Sequence, residues 1–189
     1  SSSAASDVYK RQACNSSASA ITIVMKERKA GMRVGILSDT HGPLRLQVKD
    51  VLKTCDVILH GGDINREDII KELEAFAPLY VVRGNNDKEW AEGMPEELSF
   101  SLEGVSFYMV HNKKGASHEG VSGADVVVYG HSHRYDERVI DGTLWLNPGS
   151  CGPRRFHQPI TMAVMTIEGR AYQVEKLEFA HEEAGGAGI

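Results

Sequence analysis

Three short apolar runs, at residues 34–37, 57–59 and 79–82, alternate with two stretches of helical periodicity in the first half of this chain. In the first stretch, residues 44–53, Leu44, Val48, Val51 and Leu52 recur at helical spacing. The second helix is expected over residues 67–76. Such alternation builds parallel strands, with the crossover helices packed outside the sheet. The second half reads instead as mostly strand, over residues 98–102, 105–110, 125–129, 138–140, 143–146, 160–167 and 171–179. The dipeptides Glu103-Gly104, Asp141-Gly142 and Glu168-Gly169 suit tight hairpin turns. The expectation is an α/β fold with two facing sheets flanked by helices. Ligand sites in open α/β sheets lie beyond the carboxyl ends of the strands.

The residues just past each run are therefore the ones to follow. Asp39 and His41 come after the first, His60-Gly61-Gly62-Asp63 after the second, and Arg83-Gly84-Asn85-Asn86-Asp87 after the third. His111 follows residues 105–110, and His131 and His133 follow residues 125–129. In an extended chain the side chains alternate, so an Asp-x-His or His-x-His pair leaving a strand is expected to point to one face. Taken singly, an Asp or His at a strand end caps a helix or bonds loop backbone, and Gly-Asp is a common turn pair. Their joint occurrence at successive strand ends is much harder to obtain by chance. Carboxylate, amide and imidazole donors together suit Mn, Fe, Zn or Ni rather than Ca or a thiolate-preferring ion. The set exceeds what one tetrahedral ion needs, so two metals are expected, with Asp63 as a natural bridging carboxylate.

Composition adds bounds rather than identity. The 189 residues are 41% hydrophobic and 25% charged, ordinary for a globular chain with a real core. A net charge of −5 argues against a broad nucleic-acid surface but not against a phosphate-bearing substrate, since bound metal reverses the local sign. No apolar run approaches the ~18 residues of a membrane helix. Three scattered cysteines suit a reduced, cytoplasmic setting better than a disulfide framework. Residues 1–31 are expected to be a disordered extension, an assembly artefact whose residues 2–12 read as a translated sequencing adapter. The natural start is then expected at Met32, or else Met25, with a domain over residues 32–180 and a flexible tail over 181–189.

Asp39-x-His41, Gly62-Asp63, Gly84-Asn85-x-Asp87, His111 and Gly130-His131-x-His133 resemble, in that order, the motifs of the calcineurin-like metallophosphoesterases. Within that superfamily the chain is similar to the small prokaryotic single-domain phosphodiesterases, and Leu146-Asn147-Pro148-Gly149-Ser150 resembles a segment typical of them. The resemblance implies a four-layer αββα sandwich of two mixed sheets. It implies one divalent metal on Asp39, His41, Asp63 and His133, and a second on Asp63, Asn85, His111 and His131, with Mn first and Ni, Fe or Zn as alternatives. It further implies hydrolysis of small phosphodiesters by a hydroxide bridging the two ions, with Asp63, Asn85, Asn86 and Asp87 as the catalytic set.

Two positions depart from the pattern. Many members carry histidine at the position of Asn86, where it stabilises the transition state or protonates the leaving group. An asparagine amide donates a hydrogen bond but cannot serve as a general acid near neutral pH. Asn112 stands where glycine commonly follows the ligand histidine, which alters the loop around His111. Arg154, Arg155, Lys113 and Lys114 are candidates for phosphate contact, whereas His60, His118, His157 and His181 are expected to be structural or exposed. Cys55, Cys151, Trp90 and Trp145 are expected to be packing residues. The resemblance also allows a non-catalytic interaction scaffold, like the small retromer subunit, and a phosphomonoesterase or nucleotidase. A homo-oligomer is open, and neither a nucleic-acid surface nor a membrane contact is expected.

Overall fold

A computed structural model describes residues 31–181. The expectations for residues 1–31 and for the tail therefore fall, except at Gly31 and His181, outside the described residues. Strands β1 (Met32–Leu37), β2 (Val57–His60) and β3 (Leu79–Val81) run parallel, linked through helices α1 (Leu46–Leu52) and α2 (Glu67–Phe76). The chain then makes β4 (Glu97–Leu102), β5 (Val105–Val110), helix α3 (His118–Ser122), β6 (Val126–Val128), β7 (Tyr135–Ile140), β8 (Thr143–Pro148), β9 (Ile160–Glu168) and β10 (Ala171–Phe179). Two five-stranded mixed sheets result, ordered β10-β9-β1-β2-β3 and β4-β5-β6-β8-β7.

Side-chain parity explains the layering. Val34, Ile36, Val57 and Leu59 from the first sheet meet Phe107, Met109, Val126, Val128, Leu144 and Leu146 from the second in one buried cluster. The opposite face of the first sheet, with Leu37, Ile58 and Met162, packs on Val48 and Leu52 of α1 and Ile69 and Leu73 of α2. Both faces of the parallel strands are covered, which is why their sequences are apolar runs rather than alternating ones. On the outer face of the second sheet, Tyr108, Val110, Val127 and Tyr129 pack with Val121 of α3 and Trp145. The four expected layers are present, and the fourth is thin: its α-helix has only five residues. Helix α3 shows no apolar periodicity long enough to read in advance.

The hairpins follow local chemistry. Glu103-Gly104 and Asp141-Gly142 place both residues at positive φ, as a type I′ turn requires. The third turn is displaced by one residue from its expected place. Glu168 pairs with Ala171 across Gly169-Arg170, and only the glycine has positive φ, the type II′ pattern. Among the described residues no helix is long and apolar enough to cross a membrane.

Candidate metal centre

The segments after β1, β2 and β3 carry Asp39, His41, Asp63 and Asn85, while those after β5 and β6 carry His111, His131 and His133. Both sheets thus contribute. The extended-chain reasoning that selected the paired residues does not describe their backbone. Asp39, His41, Asp63, His131 and His133 all lie in the left-handed region, with φ of 53°, 48°, 58°, 71° and 58°. Each costs on the order of 1 kcal/mol or more for a non-glycine residue, and such strain persists where surrounding contacts impose it. The chain coils immediately past each strand, so these residues are aimed by loop geometry rather than by pleat.

The side chains converge in two overlapping groups. Asp39, His41 and His133 offer donor atoms within 4.8 Å of one another, as do Asp39, Asp63 and His111. His133 Nε2 is 3.4 Å from Asp39 Oδ1 and 3.2 Å from His41 Nε2. Asp63 Oδ2 lies 3.9 Å from His41 Nε2 and 3.4 Å from His111 Nε2, between the two groups. Asp39 and Asp63 are both buried, at 0% and 2% exposure. Two buried carboxylates are costly unless a cation balances them.

Two of the donor atoms are unengaged. Among the described residues, Asp39 Oδ1 and His111 Nε2 are buried without a hydrogen-bond partner. His111 Nδ1 is 2.7 Å from the Gly61 carbonyl, so it holds the ring proton and leaves Nε2 its lone pair. The residues present therefore fit divalent metal. Electrostatics agree. Burial by itself pushes the Asp63 carboxyl up, but the neighbouring His111 and the N–H groups of Asn86 outweigh it and hold it well below the usual range. Burial lowers His111, yet the carboxylates of Asp63 and Asp39 outweigh it and raise the imidazole above its ordinary value. His41 is lowered by burial first and by the charge of Arg155 second.

Other expected residues divide. The His131 ring packs edge-on against His111 at 5.3 Å between centroids, and the His131 backbone N–H donates to Asp39 Oδ2 at 3.1 Å. Asn85 is exposed and shares a cleft with His111. Asn86 reaches Asp63 twice, its backbone N–H donating to Oδ1 at 2.8 Å and its side-chain amide to Oδ2 at 2.7 Å. Asp87, expected among the catalytic residues, accepts four backbone N–H bonds, from Asp63, Ile64, Asn65 and Gly84. That carboxylate clamps the Asp63 loop to the Gly84 loop, a positioning task that occupies both oxygens. Asn112 accepts from Lys114 N–H and caps a short turn, an ordinary role for the residue in that loop.

Of the basic candidates, Arg155 acts on His41, Arg154 reaches the His157 carbonyl at 3.5 Å, and Lys113 lies 5.4 Å over the Tyr129 ring. Lys114, His118, His157 and His181 are exposed, while Cys55 and Cys151 are buried with their thiols raised by burial, Cys151 to about 12. Trp90 packs against the helix-covered face and Trp145 against Tyr129.

Sequence reading missed the braces. The Asn65 amide is 3.2 Å from His41 Nδ1, and Ser38 donates to Asp39 Oδ2 at 2.7 Å. Asn147 donates to the Gly130 carbonyl at 2.9 Å, and Ser150 to the Asp39 carbonyl at 2.8 Å, so the Asn147–Ser150 segment supports the ligand loops. For Ser38 and Asn65 the only signal was proximity to the ligand motifs, whereas the segment ending in Asn147–Ser150 stood out by resemblance but without a stated role.

Comparison with known proteins accords with this geometry. The calcineurin-like phosphoesterase superfamily domain matches residues 32–170. A probable metallophosphoesterase of Methanothermobacter thermautotrophicus is 33% identical over 157 residues, covering 76% of this chain and 91% of that protein. A phosphodiesterase of Methanocaldococcus jannaschii is 30% identical over 167 residues, covering 78% of this chain and all (100%) of that one. In three dimensions, vacuolar protein sorting 29 of Cryptosporidium parvum superposes with a TM-score of 0.65 at 18% identity, covering 81% of this chain and 100% of that one, a likeness of fold. The chain belongs to the calcineurin-like phosphoesterase superfamily.

Proposed function

We propose that this protein is a metal-dependent phosphodiesterase acting on small phosphodiesters with two divalent ions, manganese first among them. Asp39, His41, Asp63 and His133 would hold one ion, and Asp63, Asn85, His111 and His131 the other. The observation that carries the reading is the pair of unsatisfied buried atoms, Asp39 Oδ1 and His111 Nε2, set among carboxylates and imidazoles drawn from both sheets. When bound, such ions bring water toward neutral acidity and neutralise phosphoryl charge. The chain's own residues do the rest. Asp87 fixes the Asp63 loop through backbone N–H bonds, and Asn86 prevents the Asp63 carboxylate from rotating.

Asn86 also limits the chemistry. Its amide is hydrogen-bonded to Asp63 and is not acidic near neutral pH, so a departing alkoxide receives little acid help from this position. General acid catalysis is typically worth ~10²–10⁴ in rate, so esters with acidic leaving groups should be favoured. The relative named as a phosphodiesterase supports the diester over the monoester. A scaffold function is the second reading. It draws on the shared fold with vacuolar protein sorting 29 and on Val139 and Ile140, neighbours on β7 that are 69% and 45% exposed.

The test uses the full chain. Metal content is measured, then hydrolysis of bis(p-nitrophenyl) phosphate and p-nitrophenyl phosphate with added Mn, for wild type and Asp63→Ala. The expected result is bound metal, faster turnover of the diester, and a loss of about a hundredfold or more in the variant, the ~3 kcal/mol scale of metal charge stabilisation. A wild type that binds no metal and hydrolyses no faster than the variant ends the enzyme reading.

A further inference from the structure

Beside His111 the surface opens into a cleft of about 650 Å³, lined by Arg83, Glu96, Glu97, Asn112 and Ser117. His111 and Asn85 belong both to this cleft and to the candidate metal centre, so a substrate bound there extends into it. His111 is 4% exposed and its Nε2 faces Asp63 at 3.4 Å, so the end of the cleft abuts the candidate metal centre.

The lining selects by chemistry. Asp87 is consumed by backbone N–H groups, leaving two carboxylates, Glu96 and Glu97, against one guanidinium, Arg83. Arg83 Nε is held by the Asp87 carbonyl at 3.1 Å, and Glu97 Oε2 accepts from Tyr108 Oη at 2.5 Å. Glu96 is exposed and has no hydrogen bond or ion pair among the described residues. An additional phosphate would be repelled by these carboxylates. Among the described residues no Phe, Tyr or Trp lines the cleft, so they offer neither a stacking platform for a nucleobase nor an aromatic cage for a quaternary ammonium. Beside the amides of Asn85 and Asn112 and the Ser117 hydroxyl, its unengaged charged group is the Glu96 carboxylate, an acceptor for N–H and O–H hydrogens.

We propose that this cleft receives one alcohol of the phosphodiester, and that this alcohol is small, rich in N–H or O–H donors and free of further phosphate. The class comprises amino-alcohol and polyol diesters rather than oligonucleotides. This rests on the phosphodiesterase reading above.

The test compares p-nitrophenyl diesters that differ only in the second alcohol: 2-aminoethyl, its isostere propyl, and thymidine 5′. Wild type should prefer 2-aminoethyl over both in kcat/KM. Glu96→Gln should lower the 2-aminoethyl value up to about five-fold, the scale of an exposed charge pair, and leave propyl within twofold. Glu96→Lys should reverse the preference, and its exposed position keeps folding intact. Calorimetric binding of 2-aminoethyl phosphate against propyl phosphate gives the same comparison without turnover. A wild type that hydrolyses diesters but shows no 2-aminoethyl preference overturns the cleft assignment and leaves the enzyme reading standing. A wild type without hydrolysis ends the enzyme reading, and the binding comparison then decides the cleft. Equal losses for both alcohols in Glu96→Gln, or no change, also overturn it.

Discussion

His60 shows how a residue beside a candidate ligand set serves the fold. It is fully buried, its Nδ1 accepts the Gly62 N–H at 3.1 Å, and its Nε2 lies 3.1 Å from Thr40 Oγ1. One nitrogen accepts and the other donates, which requires the neutral ring. Burial lowers its pKa from 6.5 to about 4. The unfolded chain therefore binds the proton that the folded chain refuses, and stability falls as pH drops from the unfolded value toward the folded one. In metal-free protein, the His60 contribution should shrink by about 2 kcal/mol between pH 7 and pH 5. Urea titrations of wild type and His60→Gln across that range measure it; parallel pH profiles for the two proteins would contradict the assignment. That His60 is structural or exposed was expected from the sequence. Its acid sensitivity was not, since that depends on complete enclosure.

At the scale of elements, glycines separate conformation from contact. Gly142 sits at φ 82° in the β7–β8 turn with nothing within 4 Å of where a Cβ would stand. Gly142→Ala should therefore cost ~1 kcal/mol of stability, the left-handed penalty alone, and leave metal binding untouched. Gly84 has no positive φ, yet a Cβ there would overlap Asp63 Oδ1 and the Asp63 backbone nitrogen. Gly84→Ala should cost about 1–3 kcal/mol of overpacking and weaken metal binding as well. Chemical denaturation and metal titration of both variants separate the two cases; equal metal affinity in Gly84→Ala would show that the loop relaxes away. Most elements were readable, with α2 and β5 found at their expected limits. Helix α3 was missed because five residues do not establish a period.

For the whole molecule, the candidate ligands tie one sheet to the other: Asp39 and Asp63 follow strands of the first, His111 and His133 strands of the second. Metal bound across that seam should stabilise both sheets together. At a metal concentration a hundredfold above Kd the gain is about 2.7 kcal/mol, or roughly 5–10 °C in Tm for a domain of this size. Thermal unfolding with Mn and with EDTA checks this, and Asp63→Ala should show little shift. A wild type whose Tm is unmoved by Mn would place the ions elsewhere.

The sequence by itself determined which side chains stand past each strand, where most strands and helices lie, and the two-sheet class. These are local properties, written in spacing and periodicity. Only the tertiary structure decided that β9 and β10, from the end of the chain, complete the sheet begun by β1, and that β5 and β6 carry their histidines to the same seam. It also decided that five of the candidate ligands adopt left-handed backbone, and that Asp87 and Asn86 are turned onto the Asp63 loop. Those outcomes depend on which strands become neighbours and on contacts between residues far apart in the chain, which no local pattern encodes.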